Sequence, residues 1–379
     1  MSEGQQPRVA VVALGDPESR QTWSGTTAGL LEGLRAIGVQ THAVDLTLPK
    51  GLEQATLIAA GVAARNRYEA QSSRLTTSLR SRLARARLRD MALDGIIQVG
   101  TTFALPAGIP YVTLEDMTIS QAHLVHPVFA RMSSAAVQSW ERRRMRIYAR
   151  ARMCAATSHW AADSLVREYR LAPERVGVVG LGANHRIAAD ASERAWRPAR
   201  FLFVGLDWER KGGPLLLRAF ARLRNLVPDA SLDLVGGHPP LEQPGVRCHG
   251  VRSSGSADDR KLMADLFARA TCFVMPSLVE PFGIVHIEAA AAGIPSIGSS
   301  VGGPRDVIAP PDCGLIVDPG DEDGLLDAMG RLSDPAIARR MGGAAHTRAA
   351  LYTWPNVAGR LLRMLGLQAP EGRRLPELI

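Results

Sequence analysis

The sequence predicts an α/β protein made of two Rossmann-like domains, each a parallel, doubly wound sheet. Three observations carry that expectation. Short β-rich runs alternate with longer helical ones; the plan restarts after a polar, Pro-containing stretch; and 379 residues exceed what one ordinary compact core organises.

The first strand is "RVAVVAL" from Arg8, followed by the Gly-containing loop "GDPESRQTWSGT" and the helix-like "TAGLLEGLRAIG". Strands at "QTHAVDL", "GIIQVG", "IPYVTL" and "VGVVGLG" follow, separated by longer helical segments. After "ADASERAWRPAR" a second series begins with "FLFVG", the helix "PLLLRAFARLRNLV" and the strand "SLDLVGG". "VRCHG", "TCFVMPS", "PSIGSS" and "GLIVDPG" complete it, each leading into a turn or a helical run. This divides the chain into domains 1–195 and 196–353, with a C-terminal segment 354–379. The stretch "LYTWPNVAGRLLRMLG" is a last amphipathic helix with Trp354 as its anchor. Ligands of open α/β sheets bind outside the carboxyl ends of strands, so two such domains facing one another would present their loops to a shared cleft.

Composition narrows the function classes. Hydrophobic residues make up 46% of the chain, with 36 Gly and 24 Pro and no low-complexity tract, which is a globular composition. No apolar run reaches the roughly 20 residues of a membrane span, and "MSEGQQPRVAVVAL" lacks the basic start and long apolar stretch of a secretory signal. A cytoplasmic protein is expected. Cys154, Cys248, Cys272 and Cys313 are scattered, which is neither zinc spacing nor a disulfide framework, so they are expected as buried small hydrophobes. No His, Asp and Glu cluster has ligand spacing, and no metal site is expected.

The net charge of +8 is unevenly placed: residues 1–195 hold 24 Arg and Lys against 17 acids, the remainder 21 against 20. Much of the excess is in "ARNRYEAQSSRLTTSLRSRLARARLRD" and "ERRRMRIYARARM". These runs read as solvated helical faces, or as basic faces that meet anionic lipid at the inner membrane surface. No aromatic interleaving or nucleic-acid motif accompanies them, so no nucleic-acid partner is expected.

Two loops of the second half carry chemistry. "FVGLDWERKGG" leads from a strand to a helix and contains Lys211, one of three lysines beside 42 arginines. A compact ammonium in an Arg-favouring chain suits phosphate; a solvated Lys211 and Arg210 at a helix start is the other reading, although cations sit poorly there without an anion. "TCFVMPS", "LVEPF" and the helix from Gly283 form the second loop. Unpaired N–H groups of a helix start make an anion site suited to a diphosphate, and Gly283 allows close backbone approach. Glu280 lies outside the helix and Glu288 about 7–8 Å along it from Gly283. The two carboxylates would accept hydroxyls from opposite ends of one ligand, or else Glu280 is a solvated turn residue and Glu288 an ion-paired one.

"EPFGIVHIEAAAAGIPSIGSSVGGPRDVI" resembles the E-x7-E region of family 4 retaining glycosyltransferases of the GT-B fold, and "FVGLDWERKGG" is similar to their phosphate loop. The resemblance extends through "GLIVDPGDEDGL", "TSHWAADSL" and the loop at Ser24-Gly25-Thr26, and is most specific in the second domain. It implies a nucleotide diphosphate sugar of UDP or GDP type as donor substrate, no permanently bound cofactor and no metal. Lys211 and Arg210 would neutralise the diphosphate. The backbone of Phe282, Gly283 and Ile284 would hold the distal phosphate, Glu280 would contact sugar hydroxyls and Glu288 the ribose, while Gly25 would approach the phosphates from the first domain. Gly302 and Gly303 would shape the neighbouring loop. The acceptor, a small molecule, saccharide or lipid, would bind the first domain, and the C-terminal helix would return to that domain.

Two departures from the family pattern stand out. Gly205-Leu206 replaces the Gly-Arg pair of many relatives, so Arg210 would supply the guanidinium. "VTLEDMT" stands where relatives often carry a His, and Glu115 or Asp116 would take its place; His123 and His126 close by read as structural, and Trp23 beside the Gly loop would suit a small polar acceptor. Two alternatives share or leave the fold: a nucleotide-sugar epimerase or sugar phosphorylase, and a basic membrane-surface or nucleic-acid binding protein whose binding would weaken steeply with salt.

Overall fold

The computed structural model describes residues 6–61, 67–184, 194–253, 255–369 and 378. The chain divides into two compact units, Met1–Gly182 with Thr353–Ile379, and Ala183–Tyr352.

The first unit runs β1 (Arg8–Ala13), α1 (Thr26–Ala36), β2 (Gln40–Asp45), α2 (Lys50–Gly61), α3 (Arg67–Gln71), α4 (Arg74–Leu88), β3 (Gly95–Val99), β4 (Tyr111–Glu115), α5 (Ile119–Val125), α6 (Ser134–Arg150), β5 (Met153–Ala156), α7 (His159–Arg167) and β6 (Val176–Val178). Its sheet is parallel, in the order β2-β1-β3-β4-β5-β6. β1, β3 and β4 are buried along almost their whole length, which is why they read as near-continuous apolar runs.

The second unit runs β7 (Arg200–Gly205), α8 (Gly213–Leu226), β8 (Ser231–Gly236), β9 (Val246–Cys248), α9 (Ala257–Arg269), β10 (Cys272–Met275), α10 (Ile284–Ala291), β11 (Ser296–Ser299), α11 (Pro304–Ile308), β12 (Gly314–Val317), α12 (Glu322–Leu332) and α13 (Pro335–Ala349). Its parallel sheet is ordered β12-β11-β10-β7-β8-β9. The core gathers strand residues such as Phe201, Phe203 and Phe273 with the apolar stripe Leu216, Ala219, Phe220 and Leu223 of α8.

The last helix, α14 (Trp354–Leu365), belongs to the first unit and packs on α1. Trp354 explains the docking. A Cβ at Gly29 would lie 2.1 Å from its indole, and one at Gly33 would lie 2.4 Å from its carbonyl oxygen. The small residues of α1 therefore leave a slot that the indole and its backbone fill.

The boundary between units falls at 182–183, thirteen residues before the division read from sequence at 195–196. Arg194 shows why. Its guanidinium is buried in the second unit and donates to the carbonyls of Phe267 at 2.9 Å, Ala268 at 2.8 Å and Ala292 at 2.5 Å. It thus satisfies carbonyls at the C-terminal ends of α9 and α10 that those helices leave open. Among the described residues no helix is long and apolar enough to cross a membrane.

Candidate active site

In the second unit the order of strands reverses between β7 and β10, which are neighbours in the sheet although β8 and β9 come between them in sequence. Ligands of doubly wound sheets bind at such a reversal, outside the carboxyl ends of the strands. The two loops that leave from there are 206–212 and 276–283, those that sequence had selected.

The first loop is wound tightly. Lys211 N donates to the Asp207 carbonyl at 2.8 Å and Gly212 N to that of Glu209 at 3.1 Å. A Cβ at Gly212, whose φ is +78°, would lie 2.0 Å from the Pro276 carbonyl oxygen, so the second loop can run against the first. Arg210 joins them. Leu278 N donates to its carbonyl at 2.8 Å, its Nη1 donates to the Val279 carbonyl at 3.0 Å, and its Nε donates to Asp207 Oδ2 at 3.0 Å.

Glu280 is fixed at both backbone atoms. Its N donates to the Val301 carbonyl at 3.1 Å and its carbonyl accepts from Gly303 N at 3.0 Å. Between them Gly302, at φ +114°, passes so close that a Cβ would lie 1.8 Å from the Glu280 oxygen. After Pro281 and the buried Phe282, Gly283 turns into the left-handed region at φ +88° and α10 begins with no side-chain cap. Side chains cap α9, α12 and α13, whereas α8 and α10 start from left-handed glycines and leave their first N–H groups to other partners.

The side chains converge on one carboxylate. Lys211 Nζ donates to Glu280 Oε2, and Arg210 Nη1 lies 3.7 Å from the same oxygen. Glu280 is only 7% exposed. Burial pushes its carboxyl up, but the Lys211 and Arg210 cations outweigh that and hold it below the ordinary carboxylate range. Glu288 follows on α10, also buried. The structure thus brings Lys211, Arg210, Glu280, Phe282, Gly283 and Ile284 together and places Glu288 about one turn further along α10.

Gly25, Glu115 and Asp116 belong to the first unit. Gly25 is the left-handed N-cap of α1, at φ +83°, after Trp23 and Ser24, which are themselves left-handed at φ +50° and +54°. Such strain in non-glycine residues gathers where loops meet ligands. The loop follows β1, at the reversal of the first sheet between β1 and β3. Asp116 is half-buried, just beyond β4.

Glu115 differs from a strand-end acid at a surface. It is 2% exposed and lies 3.5 Å from the guanidinium of Arg144, itself stacked on Trp140 at 5.2 Å. Burial pushes the Glu115 carboxyl up against the pull of Arg144. Nothing in the sequence analysis had singled out Arg144, yet it falls on the buried stripe Val137, Trp140, Arg144, Ile147 and Tyr148 of α6. The basic runs are therefore not uniform solvated faces. Arg80 and Arg144 point inward, while Arg74, Arg82, Arg142 and Arg146 are exposed; Arg65 lies outside the described residues. Cys154, Cys272 and Cys313 are buried as expected, but Cys248, on edge strand β9, is exposed.

The geometry joins two cations, a buried carboxylate and an open helix start at the reversal of a Rossmann-type sheet. Residues 198–334, which carry all of it, match the family model described as "Glycosyl transferases group 1". Over these residues the chain is similar to that family. Over 210 residues the chain is 31% identical to an MMP alpha-(1->4)-mannosyltransferase of Mycolicibacterium hassiacum, covering 53% of this chain and 50% of the relative. A D-inositol 3-phosphate glycosyltransferase of Streptomyces avermitilis is 33% identical over 239 residues, covering 56% and 51%. The chain therefore spans about half the length of these curated relatives. Among solved structures, sucrose-phosphate synthase of Thermosynechococcus elongatus superposes with a TM-score of 0.70 at 22% identity, covering 95% of this chain and 99% of that one. Both sheets and the returning helix α14 thus have the arrangement of the GT-B fold.

Proposed function

We propose that the chain is a retaining, metal-independent hexosyltransferase that moves a sugar from a nucleotide diphosphate donor of UDP or GDP type to a hydroxyl of a small-molecule, saccharide or lipid acceptor. The observation that carries this reading is the Lys211–Glu280–Arg210 cluster beside the uncapped start of α10. As the bond from the anomeric carbon to the phosphate oxygen breaks, its electron pair stays on that oxygen. Lys211, Arg210 and the N–H groups after Gly283 stabilise the charge that develops there. The acceptor oxygen bonds to the anomeric carbon from the same face and its proton passes to the leaving phosphate. Two cations and a helix start supply the charge that a metal would otherwise bring.

In this reading Glu280 binds sugar hydroxyls and Glu288 the ribose, while Phe282 and Ile284 contribute backbone to the distal phosphate. Gly25 brings backbone of the first unit to the phosphates. Asp116 orients a hydroxyl, and Glu115, held by Arg144, supports the loop that carries it. The retaining assignment follows the family resemblance, and Glu280 carries no covalent role. Unpaired, mostly buried cysteines fit a reducing compartment such as the cytoplasm.

One observation favours a lipid-facing acceptor. Arg74, Arg142 and Arg146 are exposed, and so are the apolar side chains of Leu75 and Met145 in the same two helices. Such a face suits an anionic membrane surface, and salt-sensitive binding to vesicles of anionic lipid would test it.

The test of the main reading is nucleotide release. With a nucleotide sugar and a panel of acceptors, a transferase frees nucleoside diphosphate only when an acceptor is present, and the product keeps the donor's anomeric configuration. An epimerase converts the donor without an acceptor, and a phosphorylase requires inorganic phosphate; either result would displace the proposal.

A further inference from the structure

His286 is the third residue of the helix start at the centre of the candidate site, and the mechanism above leaves it without a task. Its ring is wholly buried, and neither Nδ1 nor Nε2 has a hydrogen-bond partner. Leaving polar atoms unpaired in an interior costs about 1–3 kcal/mol, so such a ring calls for an explanation. It is held firmly. The Phe273 ring meets it edge-on at 5.1 Å, and a Cβ on Gly298 would lie 3.2 Å from its Cε1. On another side is Gly283, where a Cβ would lie 2.7 Å from His286 Cδ2 and 3.2 Å from Glu280 Cγ. The imidazole and the stem of Glu280 therefore border the same space beside Gly283.

The donor-site reading creates a need at that place. Glu280 now takes Lys211 and Arg210 as partners, and both are the cations assigned to the diphosphate. A dianion arriving between them would draw them off. A carboxylate this deeply buried cannot turn to water instead, and losing its partners would leave it uncompensated.

We propose that His286 is a second, waiting partner for Glu280: when a donor diphosphate claims Lys211 and Arg210, the buried imidazole donates its N–H to the Glu280 carboxylate and keeps it aimed at the sugar. His286 is thus a positioning residue that acts through Glu280. No proton changes hands. A neutral imidazole can donate one N–H without adding charge to the site, and burial keeps this ring neutral by pushing it down to about 3, against the upward pull of Glu280. The inference rests on the donor-site reading, but the exchange of partners can be provoked without any donor, because removing the Lys211 ammonium takes away the nearer of the two cations on Glu280.

The experiment is ¹⁵N NMR of the full chain labelled at histidine, with the His286 ring identified through its contact with Phe273. Spectra are compared for wild type, wild type with UDP or GDP, and Lys211→Ala without nucleotide. Both the nucleotide and the substitution are expected to move the His286 N–H to a hydrogen-bonded position and to slow its exchange with water about tenfold, the factor equivalent to about 1.4 kcal/mol. Kinetics add a second arm. His286→Leu lowers kcat more than it raises the donor KM, and His286→Gln, which keeps a donor, recovers most of the loss. A His286 signal identical in all three samples overturns the proposal. If Lys211→Ala moves the signal and neither nucleotide does, the pairing stands and the donor-site reading is the part that fails.

Discussion

Lys211 donates to Glu280 across 69 positions of sequence, joining loops that leave two neighbouring strands of one sheet. The pair stands where the strand order reverses, so it marks the site without reference to any bound molecule. Removing the ammonium as Lys211→Ala withdraws charge stabilisation from the leaving phosphate. Loss of one preorganised donor of this kind lowers kcat about 10²- to 10³-fold, and steady-state kinetics with saturating acceptor will show whether kcat/KM for the donor falls by that factor.

Arg210 binds both loops as well as lying near Glu280. Arg210→Lys keeps a charge but loses the fork that reaches Asp207 and the Val279 carbonyl. Affinity for nucleoside diphosphate should fall roughly tenfold in Arg210→Lys and further in Arg210→Ala, in proportion to one and then two lost charge-assisted contacts at about 1.5–3 kcal/mol each. Calorimetric titration gives both values, and an unchanged affinity in Arg210→Ala would remove Arg210 from the site.

Acid should weaken the second unit through Glu280. Burial raises this carboxyl, the Lys211 and Arg210 cations more than reverse that, and its folded pKa lies below the unfolded value of about 4.3. The stabilisation is therefore complete above that value and is lost as pH falls through the folded pKa. In Lys211→Ala burial acts with less opposition and the advantage disappears. The gap in melting temperature between wild type and variant should be widest near pH 7 and should close below about pH 4.

Glu115 and Arg144 give a prediction of the opposite kind, a stability effect without a donor-binding effect. Arg144→Met leaves the Glu115 carboxylate without its cation and should destabilise by about 3–5 kcal/mol. Adding Glu115→Gln should recover part of that loss. Denaturant unfolding measures both steps, and the affinity for nucleoside diphosphate, which depends on the second unit, should stay within twofold.

Gly302 tests the fixing of Glu280. A methyl at this position meets the Glu280 carbonyl oxygen at 1.8 Å and sits on a backbone at φ +114° that side chains rarely adopt. Gly302→Ala must displace the loop, and both turnover and melting temperature should drop, whereas an alanine at Gly320, where a Cβ meets nothing within 4 Å, can show only the cost of its positive φ.

Much of this was legible from the chain alone, for a physical reason. A parallel strand buried on both faces must be apolar throughout, so "FLFVG" and "TCFVM" announce themselves, and the loops between strand and helix are then located without ambiguity. Lys211, Glu280 and Gly283 stand in those loops. What remained hidden was the direction of charged side chains. Arg144 and Arg142 are neighbours in one basic run, yet α6 turns the first into the core and the second into solvent. The i, i+3, i+4 stripe of Val137, Trp140, Arg144 and Ile147 held that information, since an arginine on an apolar stripe requires a buried acid. Thr113 and Glu115 alternate on the same face of β4, and the partner was there. Arg194 was hidden differently: its role is to satisfy carbonyls of two helix ends that sequence gives no means of bringing together. His286 gave no signal, because a single histidine in an apolar helix looks the same whether its nitrogens are satisfied or not.

The most direct test of the central claim is a thermal-shift screen of UDP, GDP, ADP and TDP and their common sugar conjugates on wild type and Lys211→Ala. A ligand at 100 times its Kd that binds only the folded chain stabilises it by about 2.7 kcal/mol, a shift easily read. The account predicts that one nucleotide stabilises wild type and that the shift shrinks in Lys211→Ala. A nucleotide that stabilises both proteins equally, or none that stabilises either, would contradict it.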